Sequence, residues 1–177
     1  MKARIRSFSP SSAGAPSTFG ALGALALVLT LSACGSKSAK ELADAGYQDL
    51  GRSDYQAALT KFQEALKQTD AGSPDYISFK FAEIEAWTGI DGEKAKAEFL
   101  DLAAKHRDAV TAKDYVKVAN KLTGAKSFTS AIALLDDGLK RYPDDANVKQ
   151  LGHLIKAEAE KAGDKNALSS LAGLGYL

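Results

Sequence analysis

The side chains able to do chemistry are few. The 177-residue chain holds one cysteine, Cys34, and two histidines, His106 and His153. A single thiol excludes an internal disulfide and a cysteine-based zinc site. Neither histidine has a second His or Cys at ligand spacing. His106 follows Lys105 near an expected helix end, where positive charge suits the helix dipole. The serines form neither a Gly-x-Ser-x-Gly elbow nor a Ser-x-x-Lys motif with supporting partners. No Gly-x-x-x-x-Gly-Lys phosphate loop is present. The acidic pairs Asp136-Asp137 and Asp144-Asp145 lack the regular spacing of a calcium loop and read as solvated helix ends and starts. No catalytic residue, metal ligand or cofactor is therefore expected, and the chain is not expected to be an enzyme.

Cys34 is the exception, because of what precedes it. Lys2, Arg4 and Arg6 make a basic start, and an apolar run of 13 residues extends from Phe19 to Leu31. A helix needs about 20 apolar residues to span a bilayer, so the run reads as a secretory signal peptide. It ends in Leu31-Ser32-Ala33-Cys34, which resembles the lipobox of bacterial lipoproteins. That resemblance implies a diacylglyceryl group on the Cys34 thiol and cleavage before it. The alternative is a plain secretory signal in which the cysteine is incidental. Lipid chains contribute about 0.8 kcal/mol per buried CH₂, so two or three of them hold a protein firmly at a membrane. Gly35, where an aspartate typically retains lipoproteins in the inner membrane of Gram-negative bacteria, resembles the outer-membrane pattern. The expected organisation is a signal peptide over 1–33, lipidated Cys34 with a tether over 34–39, and a folded domain over 40–177.

Charge and composition bound that domain. Lys and Arg total 23 and Asp and Glu total 22; removal of 1–33 takes three basic residues and no acid, leaving 20 against 22, net −2. A chain so balanced is a poor binder of a phosphate backbone, so no nucleic acid is expected. Ala, the strongest helix former, supplies 32 residues. Gly and Pro punctuation predicts helices over 40–51, 54–69, 74–89, 92–105, 112–124, 127–141, 145–162 and 164–173, with no strand-like alternation. Start signals agree: Ser53 with Gln56 reads as a capping box, Ser73-Pro74 as an N-cap before a first-turn proline, Asp91 and Thr111 as further starts, and Tyr142-Pro143-Asp144-Asp145 as a junction.

The segments also repeat. Ala58, Ala95, Ala131 and Ala167 are spaced 37, 36 and 36 residues apart, and each is followed four residues later by Phe62, Phe99, Leu135 or Leu171. A pair four apart shares one helix face. Together with Gly46, Ala119, Ala65, Gly138 and Pro143, the arrangement resembles the tetratricopeptide repeat (TPR), a helix–turn–helix of about 34 residues. The second repeat departs from the pattern with Glu83 and Leu102 at the two small positions, and the fourth is short, as a terminal cap would be. The resemblance implies an all-α fold, an α-α superhelix of about four helix hairpins. An alanine-rich bundle without repeats is the alternative. In the repeat family the first helices line a groove, which carries over to Lys40, Ala43, Tyr47 and Leu50; Ile77, Lys80, Ile84 and Trp87; and Lys113, Val116, Asn120 and Thr123. The candidate peptide groove is drawn from Tyr47, Leu50, Lys80, Ile84, Trp87, Lys113 and Asn120, and its lysines favour a peptide with some acidic character. Tyr47 and Trp87 serve equally well as plugs between repeats.

The functional expectation is a lipid-anchored protein of the bacterial cell envelope that holds a protein or peptide partner as scaffold or adaptor. If the cell is Gram-negative it sits in the outer membrane and faces the periplasm. Two other readings stay open: a regulatory subunit or enzyme of envelope biogenesis, and a structural lipoprotein that self-associates. The apolar end, Leu171 to Leu177, is expected to cap the last hydrophobic face or to serve as a docking tail.

Overall fold

The computed structural model describes residues 37–176. The signal segment 1–33 and Cys34 lie outside the described residues. Within them the chain is all-α, with eight helices: α1 (Ala39–Gly51), α2 (Tyr55–Leu66), α3 (Pro74–Thr88), α4 (Gly92–Lys105), α5 (Ala112–Gly124), α6 (Phe128–Arg141), α7 (Ala146–Ala162) and α8 (Lys165–Gly173). A 3₁₀ turn, Arg107–Ala109, precedes α5.

Side-chain caps set the starts. The Ser38 hydroxyl accepts from Glu41 N–H while the Glu41 carboxylate accepts from Ser38 N–H at 2.8 Å, so the fold begins inside the segment expected to be tether. Ser73 caps α3 with Pro74 in its first turn. Asp91 Oδ1 accepts from Glu93 and Lys94 N–H, both at 3.0 Å, and Asp114 Oδ2 accepts from Thr111 N–H at 2.8 Å. The start of α2 differs from expectation: Asp54, not Ser53, is its cap. Ser53 instead adopts φ 61° and closes α1. Asp54 N–H reaches back to Asp49 O, Ser127 N–H to Leu122 O, and Asp164 N–H to Ala159 O. These are Schellman closures with a left-handed residue just before the bonded N–H, namely Ser53, Lys126 and Gly163. The α3–α4 turn lacks that left-handed residue and uses a shorter bond, Asp91 N–H to Trp87 O.

Each small-and-bulky pair of the sequence repeat is interior. Ala58, Ala95, Ala131, Phe62, Phe99, Leu135 and Leu171 are all 0 % exposed, and Ala167 is 4 % exposed. Close approach explains the small partners: a Cβ on Gly46 would stand 2.8 Å from the Phe62 ring. Consecutive helices pack closely along their backbones except α4 and α5, which meet through the Phe99 and Tyr115 rings; α1, α3, α5 and α7 also touch in succession, as do α4, α6 and α8. The core forms two clusters. One lies among α1, α2 and one side of α3, the other from Ile84 of α3 through α8; Trp87 packs against both.

The α4–α5 junction is held by the end of α6. Arg141 donates to Ala103 O at 2.8 Å and Tyr142 donates to Val110 O at 2.6 Å. Tyr115, 0 % exposed, donates to Asp137. Burial, with that carboxylate beside it, pushes the Tyr115 phenol far above its ordinary range. The apolar C-terminal segment folds back: Leu174 and Tyr176 pack on the second cluster. Gly152 makes room for the Tyr176 ring, which a Cβ there would meet at 2.2 Å.

Candidate interaction surface

α1, α3 and α5 meet along one side, where their exposed residues touch. Tyr47 is 44 % exposed, and its ring stands edge-on to Phe62 at a centroid distance of 5.0 Å. Its hydroxyl lies 3.5 Å from the Ser78 carbonyl of α3, a long bond across the helix pair. Glu85 of α3 pairs with Lys121 at 2.8 Å and Lys117 at 3.3 Å, both on α5. Burial works against the Glu85 carboxylate, but the two lysines outweigh it and hold its pKa below the ordinary value. Where the three helices end, a cleft of about 500 Å³ is lined by Leu50, Tyr55, Glu85, Thr88, Gly89 and Lys121, among others.

The structure places the expected groove residues in three different settings. Tyr47, Lys113 and Asn120 are exposed, and Leu50 is half-buried at the cleft. Lys113 and Asn120 share the outward side of α5 with Lys117, which follows from their helical spacing. Ile84 is 0 % exposed and belongs to the core. Trp87 is largely enclosed, with a buried Nε1 that has no hydrogen-bond partner among the described residues. Lys80 is also turned inward: its ammonium bonds Glu83 and Glu98, each at 2.6 Å.

On α3, therefore, Ser78 and Glu85 meet α1 and α5 at the surface, rather than Lys80 and Ile84. Counting from the alanine repeat missed this side of the helix. The signal that finds it is the i, i+7 spacing of Ser78 and Glu85, opposite the i, i+4 pair Lys117 and Lys121. Among the remaining carried-over positions, Ala43 and Thr123 are buried, Ile77 and Val116 are half-buried, and Lys40 is exposed.

The inward charges are paired with one another. Glu83, 5 % exposed, accepts from Lys80 and from Gln63 Nε2 of α2 at 3.3 Å. Burial opposes the Lys80 ammonium, yet its two carboxylates outweigh that and raise its pKa. Glu98 is pulled below its ordinary value by Lys80 and Lys94, against the effect of its own burial. Asp49, 2 % exposed, bonds Lys61 of α2 and Arg52, which hold its carboxyl below the usual range. The histidines sit apart: His106 lies 5.8 Å from the Tyr76 ring and His153 lies 5.2 Å from the Tyr176 ring. Among the described residues no group of three or more His, Cys, Asp or Glu side chains is placed to hold a metal ion. No helix among them is long and apolar enough to cross a membrane.

Protein-family models, curated proteins and solved structures yield no match to this chain. The functional reading therefore stands on its own residues.

Proposed function

We propose that the chain is a lipid-anchored envelope protein that holds a partner protein on the joint surface of α1, α3 and α5. In this reading its helices form a TPR-like superhelix of four hairpins, and lipid on Cys34 keeps that surface close to a membrane. The succession of contacts along α1, α3, α5 and α7 supports the repeat reading, as does burial of every repeated small-and-bulky pair. The observation that carries the binding reading is the continuity of the surface. Tyr47 reaches α3, Glu85 reaches α5, and the cleft with Leu50 at its edge opens beside them. Exposed aromatic and aliphatic area beside fixed charges is what a peptide-binding groove offers.

The test is crosslinked pull-down of the full chain from membranes, with Cys34→Ala and a Tyr47→Ala/Lys117→Glu double variant in parallel. The partner is expected to be captured by the native chain and lost by the double variant, while the double variant stays in the membrane fraction. Cys34→Ala should abolish membrane retention, and the native mature chain should carry acyl mass on Cys34. Full capture by the double variant would place the partner elsewhere. Membrane retention without acyl mass would contradict the anchor.

A further inference from the structure

The surface shared by α1, α3 and α5 has two electrical halves. On α1, Asp44 stands one turn before Tyr47. On α3, Asp75 stands one turn before Ser78, the residue whose carbonyl faces the Tyr47 hydroxyl. Both aspartates are exposed, and among the described residues neither appears in an ion pair, nor does Lys40, the cation one turn before Asp44. The Tyr47 phenol is raised by partial burial and then by Glu85, Asp44 and Asp75, so these carboxylates share its electrostatic neighbourhood. On α5 the balance is reversed. Lys113, Lys117 and Lys121 follow at four-residue spacing, and Lys117 and Lys121 share the single carboxylate of Glu85.

We infer that this surface takes a partner segment with opposite charges at its two ends. A lysine or arginine would seat over Tyr47 between Asp44 and Asp75, with acidic residues over Lys113 and Lys117. The inference rests on the reading above that the face binds a partner, and it names that partner's chemistry. An aromatic ring beside two free carboxylates attracts a cationic side chain, and each such contact at an exposed site is worth roughly 0.5–1 kcal/mol. Reversing the segment would bring carboxylate to carboxylate and ammonium to ammonium, and such like-charge juxtaposition rejects wrong partners and fixes register. The charges therefore act more on orientation and choice of partner than on total affinity.

The test is selection of random dodecapeptides on phage against the full chain in detergent micelles, with Asp44→Asn/Asp75→Asn and Lys113→Gln/Lys117→Gln as separate targets. All four positions are exposed, and circular dichroism checks that both variants keep the native helical signal. Peptides enriched on the native chain should carry Lys or Arg at one end and Asp or Glu at the other. The aspartate variant, which removes two exposed carboxylates but keeps the Tyr47 ring, should lose most of the basic preference and bind those peptides about threefold to tenfold more weakly, while keeping the acidic preference; the lysine variant should do the reverse. Enrichment of peptides without basic residues, or a basic preference unchanged by the aspartate variant, overturns this inference and leaves the binding face standing. Absence of any enrichment over a bare-micelle control overturns both.

Discussion

The core under α1 and α2 and the core under α4 to α8 follow one repeat but close differently. The first seats the Phe62 ring against Gly46 and is bounded by charge: Asp49 with Lys61 and Arg52, and Glu83 with Lys80 and Gln63. The second is threaded by rings. Phe81 meets Phe99 at 6.3 Å, Phe99 meets Tyr115 at 4.8 Å, and Tyr115 meets Tyr142 at 5.8 Å. Glu83 stands 37 residues after Gly46, at the equivalent point of the repeat. A glutamate there cannot let helices close as glycine does, so a lysine and a second glutamate come in with it. Such a buried ionic group is weak as a source of stability yet damaging to break, because removing one member strands the others without water. The repeat thus tolerates a charged joint at α3 while the rings on its far side run on without interruption.

The comparison is broken most severely at Phe99. Phe99→Ala removes a fully buried ring from the threaded side and should lower unfolding free energy by about 3–5 kcal/mol, read by urea denaturation. At the joint, Lys80→Met should cost roughly 3 kcal/mol by leaving Glu83 and Glu98 without their shared cation, and adding Glu83→Ala should return part of that loss. A neutral Lys80→Met would mean that the joint is held by packing alone. Gly46→Ala should destabilise by about 1–3 kcal/mol, because the Phe62 ring must move to admit the methyl group; a smaller effect would show that α1 and α2 separate freely.

Acid should single out the charged side. Glu98 and Asp49 have folded values below the ordinary 4.5 and 3.8. Their contribution is complete above those ordinary values and is lost as pH falls through the depressed folded ones. Lys80, raised above 10.5, contributes below that value and loses its contribution as pH rises through the folded one. Amide protection factors, taken relative to the intrinsic exchange rate at each pH, should therefore fall between pH 6 and pH 3.5 more in α1 to α3 than in α6 and α7. The smallest effect concerns the loops the two sides share. Ser53 and Lys126 hold φ near 60° without being glycine, so Ser53→Gly and Lys126→Gly should each raise stability by about 0.5–1 kcal/mol, measured by thermal unfolding.

Much of this architecture was legible because local signals agreed. The eight helices follow from alanine content, caps at Ser73, Asp91, Thr111 and Asp145, and prolines at junctions. The pairs from Ala58 and Phe62 to Ala167 and Leu171 identify the interior. Ser53 misled because serine before a helix usually caps it, whereas here it turns left-handed to close α1, and Asp54 caps α2. The expected end of α2 at 69 overran because α2 stops at Leu66, before the turn through Asp70 and Gly72. The surface of α3 was the least legible part. That helix packs on both clusters, so its apolar residues surround the axis and give no single buried stripe. Lys80 read as a groove-facing charge and Glu83 as a departure at a small packing position, and it is their mutual pairing that lets both turn inward. The C-terminal segment could cap or dock by sequence; the seat that Gly152 offers Tyr176 accounts for its folding back.

On the function proposed above, a partner binds the α1, α3 and α5 surface of an anchored chain. Photocrosslinking from single sites in intact cells tests it most directly, with the reactive residue placed at Tyr47 or Asn120 on that surface and at Glu64 on the exposed side of α2. A shared adduct of one mass from Tyr47 and Asn120, absent from Glu64, is the predicted result. Adducts from Glu64 with none from Tyr47 and Asn120 would contradict it.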